Sequence, residues 1–131
     1  MNIFDAIESN NIKAITQYIN KGETLDIKNK YLENTPLHFA CLKGNLKIVS
    51  MLIKAGAKIN IKNYISKKPI TYAISENHIR IVKLLLKQGA IISHRDILAC
   101  NEFHLRNDQK LLKLLCKKYL KQRNIKNKEK V

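Results

Sequence analysis

The side chains in this chain with chemistry to offer are four histidines, three cysteines and ten carboxylates. Imidazole can act as a general base near neutral pH or as a zinc ligand, and a thiolate can be a nucleophile or a ligand. Spacing decides whether they do. Cys41, Cys100 and Cys116 are odd in number and wide apart, with no CxxC pair, so neither a disulfide scaffold nor a zinc module is expected. Cys41 lies in an apolar helical stretch and reads as a buried thiol packing as a small hydrophobe. His78, His94 and His104 are not expected to form a metal site. Acidic residues are scarce and scattered; Glu23, Asp26 and Glu33 sit in or near the first turn region, but nothing pairs them as acid and base, and no glycine-rich phosphate loop occurs. No catalytic residue, metal or cofactor is expected; the function to look for is binding.

The elements that would position a binding surface recur. KYLENTPLHFACLKGNLKIVSMLIKAGAKINIK at 30–62 aligns without a gap on NYISKKPITYAISENHIRIVKLLLKQGAIISHR at 63–95, a period of 33. The alignment places Pro36 over Pro69, Ala40 over Ala73, Val49 over Val82, Leu52 over Leu85 and Gly56 over Gly89. Upstream, IFDAIESNNIKAITQYINKG carries the same signposts at Ala6, Asn10, Ile15, Tyr18, Ile19 and Gly22, with one extra residue before the next unit. Each unit reads as two helices. Pro36 and Pro69 suit a first helical turn, where a missing N–H interrupts no intrahelical bond. Thr35 can cap the free amides there; Lys68, in the equivalent place, cannot, so the third unit is expected to start less firmly. Gly44 and its equivalents Asn10 and Asn77 suit a left-handed helix end. LKIVSMLIKA and IRIVKLLLKQ have apolar positions at helical spacing, and GAKINIKNYIS alternates like short extended arms.

This organisation resembles the ankyrin repeat, specifically so in TPLHFACLKGNLKIVSMLIKAGAKIN at 35–60 and less so elsewhere in 2–95. The third unit departs from the family pattern at Lys68, Thr71 and Asn77, where the family favours Thr, His and Gly. The resemblance implies an all-α solenoid of stacked helix-turn-helix units with hairpin-like fingers. It also implies that His38, in the TPLH motif, hydrogen-bonds within and between repeat turns. The expected organisation is one stack over 1–122, with repeats at about 1–29, 30–62 and 63–95, a divergent C-terminal cap at 96–122, and a basic tail at 123–131. In the cap, helices are expected over about 96–105 and 108–120, with Asp96 and Asp108 as caps.

Charge sets the partner. Twenty-five Lys and Arg against ten Asp and Glu give a formal +15, which favours acidic partners and speeds encounter with them at low salt. Two readings of the lysines stay open, function and the codon bias of an AT-rich genome such as those of intracellular bacteria, protists or large DNA viruses with small ankyrin proteins. No apolar run approaches a membrane span, and MNIFDAIESNN has acidic residues and no long apolar run, so a cytoplasmic monomer without a cleavable signal peptide or membrane insertion is expected, or one exported by a signal-less route.

In ankyrin repeats, partners usually dock on finger tips and the exposed face of the first helices. Carried onto this chain, those positions are Tyr31, Leu32, Asn34, Leu42 and Lys43 in the second repeat and Tyr64, Ile65, Lys67, Ser75 and Glu76 in the third. Tyr31-Leu32 and Tyr64-Ile65 put an aromatic and an aliphatic residue where folding needs neither, unless Leu32 and Ile65 fold back onto the arm. The expected partner is a protein, acidic in preference. The alternative is a nucleic acid or anionic surface, held by Lys113, Lys117, Lys118, Lys121 and Arg123. Between Lys110 and Lys130 the chain has nine basic residues and one acidic residue, a composition suited to salt-sensitive phosphate binding.

Overall fold

In the computed structural model, which describes residues 2–103 and 109–129, the described residues form helices and no strands. In chain order these are α1 (Ile3–Glu8), α2 (Ile12–Asn20), α3 (Pro36–Lys43), α4 (Leu46–Lys54), α5 (Pro69–Ser75), α6 (Ile79–Lys87), α7 (His94–Phe103) and α8 (Gln109–Glu129). Consecutive helices pair as α1–α2, α3–α4, α5–α6 and α7–α8, and the first helix of each pair packs on the next in the row α1–α3–α5–α7. The period-33 pattern is thus a stack of helical hairpins.

Local chemistry fixes where each helix starts. Asn2, Asn11 and Asn45 accept hydrogen bonds through their side chains from the backbone N–H of Asp5, Ala14 and Ile48, satisfying first-turn amides. The hairpin corners turn through Asn10, Gly44 and Asn77, at φ of 54°, 80° and 58°. The fingers are not strands but turns closed by side chains. Asn29 Oδ1 accepts from the amides of Leu32 and Asn34, and Asn63 Oδ1 accepts from those of Ile65 and Lys67. Asn29 and Asn63 are 34 positions apart while Leu32 and Ile65 are 33 apart, so the extra residue is absorbed next to the tip of the first finger.

Packing follows the alanines. Ala40 and Ala73 have no exposed surface, which lets the inner helices approach closely. Ile48, Val49, Leu52, Ile70, Ile74, Val82 and Leu85 are likewise fully buried between hairpins, each side chain contributing roughly 1.5–3 kcal/mol of hydrophobic stabilisation. Cys41 is among them, and burial pushes its thiol well above the usual range, as an inert hydrophobe requires.

The cap differs from the expectation in three ways. Helix α7 begins at His94, with Ser93 before it; Asp96 sits in the first turn and its Oδ2 accepts from the N–H and hydroxyl of Ser93 at 2.8 and 3.0 Å. Asp96 is therefore the reciprocal partner in a capping box and not the cap. Asp108, the other expected cap, lies outside the described residues, as does Leu105. Helix α8 does not stop near Leu120 but runs to Glu129, through most of the segment expected as a tail. Its Lys, Arg, Gln and Glu are good helix formers, and no glycine or proline follows Gly89 to stop it. The turn at Gln122 is also anchored: its side chain accepts from Ile92 N at 3.1 Å and donates to Ala90 O at 3.0 Å.

Candidate interaction surface

The fingers are positioned by a set of buried polar groups. Thr35 N–H donates to His38 Nδ1 at 3.1 Å, which leaves Nε2–H to donate to the carbonyl of Lys67 in the next finger at 2.9 Å. The imidazole thus ties one finger to the next as the resemblance implied, and its burial holds its pKa below the ordinary 6.5, against the raising effect of its backbone bonds. Asn63 Nδ2 bonds both Asn34 Oδ1 at 2.7 Å and the Tyr72 hydroxyl at 2.9 Å. Along the row, Asp26 Oδ1 accepts from Lys58 N and Asn60 Oδ1 accepts from Ile91 N, so each finger supplies an acceptor to the next.

On this base the tips project. Tyr31 is 91% exposed and Tyr64 74%, with Leu32 and Ile65 exposed beside them. Leu32 and Ile65 do not fold back under the arm. The Tyr64 amide donates to the Leu32 carbonyl at 2.8 Å, which joins the two tips into one surface. Lys67 flanks it, exposed, its ammonium 5.6 Å from the centre of the Tyr72 ring. Leu42, Lys43, Ser75 and Glu76 lie elsewhere, at the far ends of α3 and α5. A helix of that length separates them from the tips by roughly 12 Å. Lys43 is also engaged, paired with Glu8 at 2.6 Å and placed over the Phe39 ring. Asn34, also expected on this surface, is 6% exposed and accepts from Asn63, because the next finger covers it.

The expected basic stripe of α8 divides. Lys113, Lys117 and Lys121 recur every fourth residue on one exposed strip, whereas Lys118 is half-buried. Arg123 turns onto another flank, its guanidinium 5.8 Å from the centre of the Tyr119 ring.

The third repeat contains what the sequence did not announce. Lys68 has no side-chain oxygen to cap α5, and its backbone N–H donates instead to Thr71 Oγ1 at 3.3 Å. The side chain is nearly buried; its ammonium bonds the carbonyl of Ile91 and stands 3.8 Å from Asp96 Oδ2. Thr71 Oγ1 donates to the other Asp96 oxygen at 2.8 Å. Three departures from the family pattern, or from helix-cap expectation, thus form one network that ties the third repeat to the cap. Its signal in the sequence was the lysine standing where a capping threonine belongs. Among the described residues, no group of three or more His, Cys, Asp or Glu could hold a metal, and no helix is long and apolar enough to cross a membrane.

Comparison with known proteins fits this geometry. The chain is 55% identical over 31 residues to a probable E3 ubiquitin-protein ligase of Oryza sativa subsp. japonica, a stretch covering 24% of this chain and 6% of the other. It is 35% identical over 53 residues to protein phosphatase 1 regulatory subunit 12A of Mus musculus, covering 40% and 5%. It is 40% identical over 40 residues to a palmitoyltransferase of Homo sapiens, covering 30% and 6%. The matches therefore span about a twentieth of these relatives' lengths. The family model for ankyrin repeats matches residues 3–96 in three copies. With its stacked hairpins, TPLH histidine and bonded fingers, this chain is a member of the ankyrin-repeat family.

Proposed function

We propose that the chain is a protein-binding module whose contact surface is the joined pair of tips at Tyr31-Leu32 and Tyr64-Ile65, with an acidic partner segment. The observation that carries this reading is the exposure of two tyrosines, at 91% and 74%, on fingers bonded to each other. Tyrosine buries a large rigid face at small entropic loss and keeps a hydroxyl for a polar partner. Both rings stand largely in solvent, and side-chain acceptors hold the fingers beneath them, so little ordering is required on binding. Exposed Lys30 and Lys67 lie beside the tips in the chain, which supports an acidic partner and salt-sensitive encounter. Leu42, Lys43, Ser75 and Glu76 belong to this surface only if the partner is long enough to reach along α3 and α5.

The test is selection of displayed random peptides on the immobilised chain, followed by affinity measurement against the Tyr31→Ala/Tyr64→Ala variant. Selected peptides are expected to carry acidic residues beside an apolar anchor. They should lose at least tenfold in affinity on the variant, whose melting temperature stays within a degree or two of the parent. Peptides that bind both proteins equally would remove the tips from the interface.

A further inference from the structure

A second surface lies between the finger that carries Tyr64 and the helix α8. The finger after α4, the finger after α6 and the middle of α8 enclose a cleft of about 550 Å³, within the roughly 300–1,000 Å³ usual for small-ligand sites. Lys62, Lys68, His94, Arg123 and Lys126 line it, and no acidic side chain does. These five groups come from four parts of the chain separated by up to 64 positions, so folding and not local sequence brings them together.

Holding the like charges of Lys62, Lys68, Arg123 and Lys126 in one recess is unfavourable unless an anion offsets them. The repulsion registers at Lys68: burial is the main cause of its lowered pKa, Asp96 opposes the shift, and Lys62 and Lys126 add to it. Asp96 is already committed behind the cleft, accepting from Thr71 and Ser93 as well as pairing with Lys68. Glu129 lies one turn beyond Lys126, exposed and outside the lining. The cleft also has an apolar wall at Ile91 and Ile92 and a ring at Tyr119, on which Arg123 rests.

We propose that this cleft binds a small anion carrying two or more phosphate groups. Arginine supplies a planar fork and lysines supply point charges, the donor set that phosphate oxygens accept best. A concave wall suits a compact polyphosphate better than a duplex, whose phosphates need cations along an open track. The lining includes none of the tip residues Tyr31, Leu32, Tyr64 and Ile65, and none of the exposed strip of Lys113, Lys117 and Lys121 on the same helix.

The experiment is an NMR titration of the isotope-labelled full chain with tripolyphosphate and, separately, with ATP, against sodium sulfate at matched ionic strength. Saturable shifts are expected at the amides of Lys62, Ile92, Arg123 and Lys126, absent with sulfate. Arg123→Gln/Lys126→Gln should weaken tripolyphosphate at least tenfold. Lys113→Gln/Lys117→Gln removes the same charge from the same helix and should change it less than twofold. Lys62→Gln, on a different element, provides a second weakening variant if the α8 pair loses helicity. ATP binding tighter than tripolyphosphate would support a site that also takes an organic group against Tyr119; equal binding would support one that reads phosphates alone. Equal weakening by the two α8 pairs, unsaturable shifts spread over all lysines, or a short DNA duplex displacing tripolyphosphate equally from both variants would overturn the proposal.

Discussion

Single residues show most directly how the stack tolerates substitution. Gly44 combines a left-handed φ of 80° with a close neighbour: a Cβ added there would fall against the His78 ring, which packs across the corner of the next repeat. Gly44→Ala is therefore expected to destabilise by about 2–4 kcal/mol, from the left-handed backbone and the overpacking together. Removing the ring in Gly44→Ala/His78→Ala should recover the packing part, and urea midpoints of the three proteins measure the split. Asn10 and Asn77 occupy equivalent corners, with different neighbours. Asn10 Oδ1 accepts from Asn45 at 2.6 Å, while Asn77 Oδ1 is buried without a partner among the described residues. His38 carries a pH dependence. Its folded pKa lies below the ordinary 6.5 because burial disfavours the cation, so the unfolded chain binds the proton more readily. Its contribution is complete above that value and is lost as pH falls through it toward the folded pKa. The urea midpoint should drop between pH 7.5 and 5.5, by less in His38→Gln. A midpoint equally pH-dependent in both proteins would remove His38 as the cause. The glycine and proline positions were legible in the sequence because local backbone geometry dictates those residue types, whereas the role of His38 was legible only through the family resemblance. The burial of Asn34 was not, because the residue that covers it, Asn63, is 29 positions away.

At the scale of the element, α5 shows that departure from a family pattern is not the same as weakness. Lys68 leaves the helix without a side-chain cap, as its chemistry requires, yet its ammonium fastens the repeat to its neighbour through Ile91 and Asp96. Restoring the family residue by Lys68→Thr would supply a cap worth about 1 kcal/mol. It would also leave a buried carboxylate without its cation, which costs roughly 3–5 kcal/mol. The net expectation is a loss of about 2–4 kcal/mol, read from chemical denaturation. Pairing the change with Asp96→Asn should return much of it, and a Lys68→Thr protein more stable than its parent would show that the pair is not coupled in this way. The hairpins themselves were legible as elements, since apolar spacing and turn residues agree within each unit. The finger turns were read as extended arms, whereas side-chain acceptors at Asn29 and Asn63 close them into turns. Alternating residue types do not distinguish the two.

For the molecule as a whole, α8 is tied back to the stack beyond Leu120. Gln122 reaches back to Ile92 and Ala90, so a chain ending at Leu120 is expected to melt several degrees lower, and Gln122→Ala alone to lose about 1–3 kcal/mol. Thermal melts of the two proteins check this; unchanged melting on truncation would mean that residues beyond 120 are an appendage after all. For the same reason, tail deletion cannot serve as a clean test of charge, and the matched lysine pairs on α8 can. The sequence by itself determined that this is a row of helical hairpins, how long each unit is, and which side chains meet in the core. It could do so because neighbours in a solenoid touch only neighbours, and the same local pattern is therefore written into each unit. Tertiary structure alone decided which polar groups besides His38 bridge one finger to the next, how far α8 continues, and that five basic groups share a recess while three others face water. Those outcomes rest on distances between residues tens of positions apart, set by how hairpins pack, and no repeating pattern along the chain encodes them.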